Sequence, residues 1–171
     1  MSTTPAPRNR VITRQVVEWA AWDWGSAAFN AVATTFVFTT YLTSDGVFTD
    51  AGTASSWLSN GMTIAGLFIA LLAPITGQRA DRRGRGGVWL GWFTGAVVAC
   101  MLAMYFVHPE SVLGPKGALM LGIALLGLGN VFFEFASVNY NAMLNHLGEK
   151  EDRGKISGFG WASGYIGGIV L

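Results

Sequence analysis

The chain has 171 residues, of which 51% are hydrophobic and 12% are charged, whereas roughly a quarter of the residues in a soluble domain are charged. Its formal net charge of +1 argues against the strongly basic surface that binds nucleic acid. The charged residues form short clusters between long uncharged stretches, which is typical of a protein that crosses a membrane several times.

Four stretches are long and apolar enough to cross a bilayer as α-helices, which takes about 20 residues. They lie at about 19–42, 57–76, 88–107 and 118–142. A fifth stretch, 156–171, is incomplete because the chain stops inside it. We therefore predict an all-α membrane bundle over 17–171 behind a tail at 1–16, and we expect the chain to be a fragment or a truncated product of a longer protein.

The basic residues predict the orientation of this bundle. Ten of the eleven Lys and Arg residues lie in the tail, in the stretch 79–85 or in the stretch 150–155, and Lys116 is the exception. Cytoplasmic segments of membrane proteins carry an excess of Lys and Arg. We therefore expect a multi-pass protein of the plasma membrane with its N-terminus in the cytoplasm.

Polar side chains recur at helical spacing in the first and fourth predicted spans. The two sets are Asp23, Ser26, Asn30 and Thr34, and Asn130, Glu134, Ser137 and Asn141. Spacings of three and four residues place each set on one helix face. Because polar and above all ionisable groups are costly at membrane depth, we predict that some of them line a solute or ion pathway: Asp23, Asn30, Asn130, Glu134 and Asn141. The alternative is hydrogen bonding between helices, which we assign to Ser26, Thr34 and Ser137.

Two further patterns concern how the helices meet. In the basic stretch after the second span, an acid stands among arginines and turn-forming glycines, at Gly77, Asp81, Arg82, Gly84 and Arg85. An acid beside arginines at a helix end can pair with them or with a neighbouring helix N-terminus, which predicts a cytoplasmic latch between helices. Small residues let helices approach closely, so we predict a packing stripe in the fifth span at Gly160, Gly164 and Gly168.

The stretch 77–86 resembles the signature between the second and third helices of the major facilitator superfamily, except at Arg79 and Gly86, where the family has a leucine and a basic residue. Trp22–Phe29 and Ser157–Gly168 resemble the first-helix and fifth-helix motifs of the branch related to the fungal vacuolar amino-acid effluxer. The resemblance implies two six-helix halves, of which this chain would be most of the N-terminal one.

The resemblance implies a secondary active transporter that moves a small polar solute, with amino acids as the candidate class, by alternating access. Protons are the candidate coupling ion, and the C-terminal half of the same transporter is the expected partner. The alternative is a non-transporting membrane scaffold or assembly protein. An enzyme is disfavoured, because the sequence has neither an ATP-binding Gly-x-x-x-x-Gly-Lys loop nor a His-Glu-x-x-His metal motif. We expect no cofactor and no metal.

Overall fold

A computed structural model describes residues 11–83 and 86–170, and for 77–83 it describes the backbone alone. Of the described residues 85% are helical, and no strand occurs among them, which confirms the predicted all-α fold class. The helices, in chain order, are α1 (Arg14–Ala28), a π-helix (Phe29–Phe36), α2 (Phe38–Thr43), α3 (Ala51–Arg83), α4 (Gly86–Ala103), a 3₁₀ turn (Met104–Phe106), α5 (Gly114–Leu147) and α6 (Arg153–Val170).

Three of the described helices are long and apolar enough to cross a membrane, over Ala51–Thr76, Gly86–Phe106 and Gly114–Leu147. These correspond to the second, third and fourth predicted spans. The first predicted span differs from the expectation of one continuous helix, because its α-helix gives way to a π-helix at Phe29 and resumes at Phe38. In a π-helix the backbone bonds run from residue i to i+5, so each turn is wider than an α-helical turn.

Helix α5 is the central element of the bundle. It packs along both α3 and α4, while α1 lies mainly along α6. We call the end of the bundle at which α1 and α6 begin the near end, and the end at which α3 and α5 begin the far end. At the near end a Cβ atom on Gly86 would lie 3.4 Å from Met143, so α4 starts beside the last turns of α5.

Buried apolar residues form two clusters, one at each end of the bundle. The far-end cluster comprises Phe29, Ala33, Leu42, Phe48, Ala54, Leu58, Val97, Met104, Val107, Ala118, Leu119, Ile123 and Leu126. The near-end cluster comprises Val16, Trp19, Ala20, Tyr140 and Ile156. The helices also expose many large apolar side chains on their outer faces, such as Trp92 on α4 and Leu71 on α3, as expected where lipid is the solvent.

Candidate functional site

A cavity of about 590 Å³ lies between α1 with its π-helix, α5 and α6. Its polar lining consists of Asp23, Ser26, Asn30, Thr35, Ser137 and Asn141. Its aromatic lining consists of Trp22, Phe36, Phe133, Tyr140, Trp161 and Tyr165. The cavity therefore combines one carboxylate with hydroxyl groups, amides and aromatic rings, within a bundle whose other surfaces are mostly apolar.

The π-helix decides which residues of the first span reach this cavity. Asp23 and Asn30 follow α-helical spacing, but the next polar residue in the lining is Thr35 rather than Thr34. Because a π turn is wider than an α turn, the residue that follows Asn30 on the cavity face is five positions later rather than four. Thr34 donates a hydrogen bond from its hydroxyl to the Asn30 carbonyl oxygen at 2.7 Å, so its polar group is satisfied within its own helix.

The Asp23 carboxylate lies against a position on α6 that has no side chain. A Cβ atom on Gly164 would lie 2.9 Å from Asp23 Oδ2, so a larger residue there would displace the carboxylate. Ser26 donates a hydrogen bond to the Asp23 backbone oxygen at 2.9 Å and not to the carboxylate. Within residues 11–83 and 86–170, no group is hydrogen-bonded to the carboxylate oxygens.

Next to Asp23, three aromatic rings close the near end of the cavity. Trp19 and Tyr140 stack with their ring centroids 4.2 Å apart, and Trp19 Nε1 donates to the Tyr140 carbonyl oxygen at 3.0 Å. Trp22 lies 4.6 Å from Tyr140, centroid to centroid. Its Nε1 donates to Thr94 Oγ1 on α4 at 2.9 Å. The rings therefore tie α1 to α4 and α5 at the depth of the Asp23 carboxylate.

Tyr140 was not among the predicted site residues. Its side chain is 5% exposed, and its hydroxyl oxygen is buried with no hydrogen-bond partner in the described ranges. The sequence contains a signal for Tyr140, because this residue comes three positions after Ser137 and seven after Phe133, which places all three on one helix face.

Asn139 was also missed by the sequence analysis. It is 1% exposed, and its Nδ2 donates a hydrogen bond to the Phe135 carbonyl oxygen at 2.7 Å. Its Oδ1 has no partner in the described ranges.

The predicted pathway residues of the fourth span divide into two groups. Asn141 lines the cavity, and its Nδ2 donates to the Ser137 carbonyl oxygen at 2.9 Å. Asn130 and Glu134 do not line it. Glu134 comes seven residues after Gly127, where a Cβ atom would lie 3.6 Å from Ala65 on α3. Residues seven apart share a helix face, and Glu134, which is half-buried, lies seven residues from both Gly127 and Asn141, so helical spacing puts it on the same face as each of them.

The glycines of α6 form a seam with α1. A Cβ atom on Gly160 would lie 2.6 Å from Trp19 Cζ3, and one on Gly164 would meet Asp23 as described above. At the next turn the tightest position is Gly167, which faces the Trp24 backbone, while Gly168 has only an ordinary contact of 3.8 Å with Ala27. We call this contact the α1–α6 seam. It comprises Trp19, Asp23 and Trp24 on α1 and Gly160, Gly164 and Gly167 on α6.

The residues of the predicted cytoplasmic latch lie where the structure describes no side chains. Gly77, Asp81 and Arg82 fall in the last turns of α3, where only the backbone is described, and Gly84 and Arg85 lie outside the described residues. The latch therefore stays a prediction.

Comparison with known proteins places this bundle in a family. The sequence pattern of the family described as Major Facilitator Superfamily matches residues 2–171. The chain is also 31% identical over 160 residues to the uncharacterized MFS-type transporter YxiO of Bacillus subtilis (strain 168), an alignment that covers 92% of this chain and 36% of that protein. No solved structure is a significant match. Because the family pattern spans nearly every residue of this helical bundle, the chain belongs to the Major Facilitator Superfamily.

Proposed function

We propose that the chain forms part of a secondary active transporter that moves a small polar solute across a membrane by alternating access. The cavity carries this proposal, because it gathers a carboxylate, amides and hydroxyl groups from three helices of a membrane bundle. The family membership supports the same activity. A non-transporting scaffold is the weaker alternative, because packing alone does not require a carboxylate facing a cavity.

Residues beyond this chain complete the transport site in this proposal. The chain spans 36% of the length of the relative it matches. Two aromatic side chains of the cavity, Trp161 and Tyr165, are 63% and 65% exposed. A second half of the same transporter, packed over this rim, would cover both rings and close the solute between the two halves.

Amino acids are the proposed solute class, on the strength of the resemblance of Trp22–Phe29 and Ser157–Gly168 to the branch of the fungal vacuolar amino-acid effluxer. The decisive experiment reconstitutes the full-length protein in vesicles, imposes a pH gradient and measures the uptake of labelled amino acids and amines. Concentrative uptake that collapses with the gradient supports proton-coupled transport. If none of these solutes moves above the rate of empty vesicles, the proposed solute class is wrong.

Glu134 is the proposed proton-coupling carboxyl. It is not among the residues that line the cavity, so a proton and a solute would occupy different places. Glu134→Gln keeps the size of the side chain but cannot ionise. We expect this variant to lose most concentrative uptake and to retain exchange of solute across the membrane. Glu110→Gln, an exposed acid between α4 and α5, is the matched control, and wild-type uptake by both variants would contradict the role.

The basic stretch at the end of α3 is proposed to hold one state of the transport cycle through Asp81. We expect Asp81→Asn to lower transport more than it lowers the amount of protein in the membrane. Normal transport by this variant would contradict the latch.

We propose the plasma membrane as the location and a cytoplasmic N-terminus as the orientation, on the basis of the distribution of Lys and Arg. Single cysteines at Gly52 and Arg83, in a Cys100-free background, should react with an impermeant thiol reagent from opposite sides. Labelling of both from outside intact cells would contradict this orientation.

A further inference from the structure

We infer that the cavity recognises a positively charged ammonium group on its solute, held by the Asp23 carboxylate among aromatic rings. This inference rests on the proposed transport function and assigns the chemistry of its site. Of the two acids predicted from the sequence for the pathway, Asp23 lines the cavity and Glu134 does not.

The charge of the lining gives the first argument. Asp23 is the one acidic residue that lines the cavity in the described ranges, and no Lys, Arg or His lines it there. Its carboxylate has no hydrogen-bond partner in those ranges. Its side chain is half-buried, and a carboxylate that is partly removed from water is stabilised by a compensating charge or by hydrogen bonds. An ammonium group on the solute supplies both, since it is a cation with several N–H donors.

The aromatic rings give the second argument. Gly164, which faces the carboxylate, stands between Trp161 and Tyr165 in α6, and these two rings lie 6.0 Å apart. The faces of Trp and Tyr rings attract cations, and ammonium ligands are commonly bound in aromatic cages. Both rings of this pair are exposed, whereas Trp22 and Tyr140 cover each other and stack on two further rings. The cavity therefore offers one open aromatic pair beside the carboxylate.

The Tyr140 hydroxyl group gives the third argument. A Cβ atom on Gly160 would lie 2.8 Å from this hydroxyl oxygen, and Gly160 is four residues, or one helical turn, from the position that faces Asp23. The hydroxyl group is buried and unpartnered in the described ranges although Tyr140 lines the cavity. Buried polar groups normally have a partner, and an ammonium group at Asp23 would lie within reach of this one.

The size of the cavity limits the solute. A volume of about 590 Å³ falls in the range of roughly 300–1,000 Å³ that is usual for sites of small molecules. An amine with one ring or a short chain fits that range. Such a solute would place its cationic end at Asp23 and its apolar part against Phe36 and Phe133, which also line the cavity.

Three probes that share a phenyl ring and a short chain separate charge from shape. They are 2-phenylethylamine, a cation near neutral pH, 3-phenylpropionate, an anion, and 2-phenylethanol, which is neutral. The experiment measures the thermal unfolding of the purified full-length protein with each probe at millimolar concentration, because a ligand that binds the folded state raises the melting temperature. We expect the amine alone to raise it.

Substitutions at two positions locate the site. Asp23→Asn should weaken the apparent affinity for 2-phenylethylamine by about tenfold or more, whereas Asp23→Glu, which keeps the charge, should retain a response. Tyr140→Phe should weaken the affinity by about threefold because it removes one hydrogen bond. Each variant's melting temperature without a probe reports whether it folds, and Glu110→Gln serves as the control that should leave the affinity unchanged.

The inference is overturned if the anion or the alcohol stabilises the protein as much as the amine, if no amine response appears, or if folded Asp23→Asn responds like the wild type. Uptake in vesicles separates this failure from a failure of the proposed function. If some solute is transported but no amine response appears, the proposed transport function stands and the ammonium site is overturned. If the amine response depends on Asp23 but no solute is transported, the ammonium site stands and the proposed transport function is overturned.

Discussion

The α1–α6 seam and the far-end cluster hold their helices together in different ways. In the seam, glycines on α6 meet rings, a carboxylate and the backbone of α1. In the far-end cluster, aliphatic side chains from several helices interdigitate around Leu119 and Leu126, which are 0% and 1% exposed. Because lipid gives helices no hydrophobic drive to associate, close packing carries much of the stability. Substitutions that add atoms should therefore destabilise the seam most, whereas substitutions that remove atoms should destabilise the cluster most.

The largest effect is expected from adding a methyl group to the seam. In Gly167→Ala the new Cβ would collide with the Trp24 backbone carbonyl oxygen, which cannot rotate away as a side chain can. We expect a loss of about 3 kcal/mol, the upper end of the usual cost of overpacking, measured by thermal or denaturant unfolding of the full-length protein in detergent.

Two matched glycines make this test a comparison of the two regions. Gly158→Ala, on the same helix with no atom within 4 Å of the new Cβ, should be neutral or slightly stabilising, because Ala favours helices over Gly. In the far-end cluster, Gly122→Ala would meet a Leu42 methyl group at 2.6 Å, and this side chain can turn aside. Equal losses for Gly167→Ala and Gly122→Ala would abolish the distinction between seam and cluster.

The second effect is expected from removing atoms from the cluster. Leu119→Ala should cost about 2 kcal/mol, the low end of the range for buried leucines, because the reference environment here is lipid rather than water. Leu128→Ala on the same helix, where the side chain is 51% exposed, should cost little. Unfolding free energies of the two variants give the measurement, and the prediction fails if the exposed leucine matters as much as the buried one.

The smallest effect is expected at the start of α3, where Asp50 caps the far end of the bundle. Its Oδ1 accepts a hydrogen bond from the Thr53 backbone N–H at 2.8 Å, and this bond holds the pKa of Asp50 below its ordinary value. The stabilisation by this carboxylate is therefore fully present above the unfolded pKa of about 3.9. It is lost as the pH falls through the lower folded pKa.

Asp50→Asn tests this cap without removing it, because Asn is also a good N-cap residue. We expect the variant to match the wild type more closely near pH 2 than near pH 7, so its melting temperature should fall less steeply in acid. Glu110→Gln is the control, which should keep the wild-type profile. Superimposable pH profiles of wild type and Asp50→Asn would show that the cap does not titrate with folding.

The helices were predictable from the sequence because long apolar stretches have few alternatives in a bilayer. The π-helix was not, since a change from i+4 to i+5 bonding leaves no mark in the hydrophobic pattern. For the same reason nothing in the sequence indicated that Thr35, rather than Thr34, lines the cavity. Sequence spacing also placed Glu134 and Asn141 on one face. That face is broad enough to reach both the cavity and α3, and the spacing alone could not decide between them.

The α1–α6 seam has a consequence for how the protein is made. The contacts of α1 at its near end are with residues far along the chain; Trp19 and its hydrogen-bond acceptor on Tyr140, for example, are 121 positions apart. At a synthesis rate of roughly 5–20 residues per second, the ribosome takes about 6–24 s to cover that distance. For this interval the Trp19 indole N–H group is still without its acceptor, and Asp23 is without the α6 glycine that it faces. The Trp22 indole N–H group waits for a shorter time, because its acceptor Thr94 is 72 positions away. Early membrane insertion of α1 therefore has to proceed without the helix against which it finally packs.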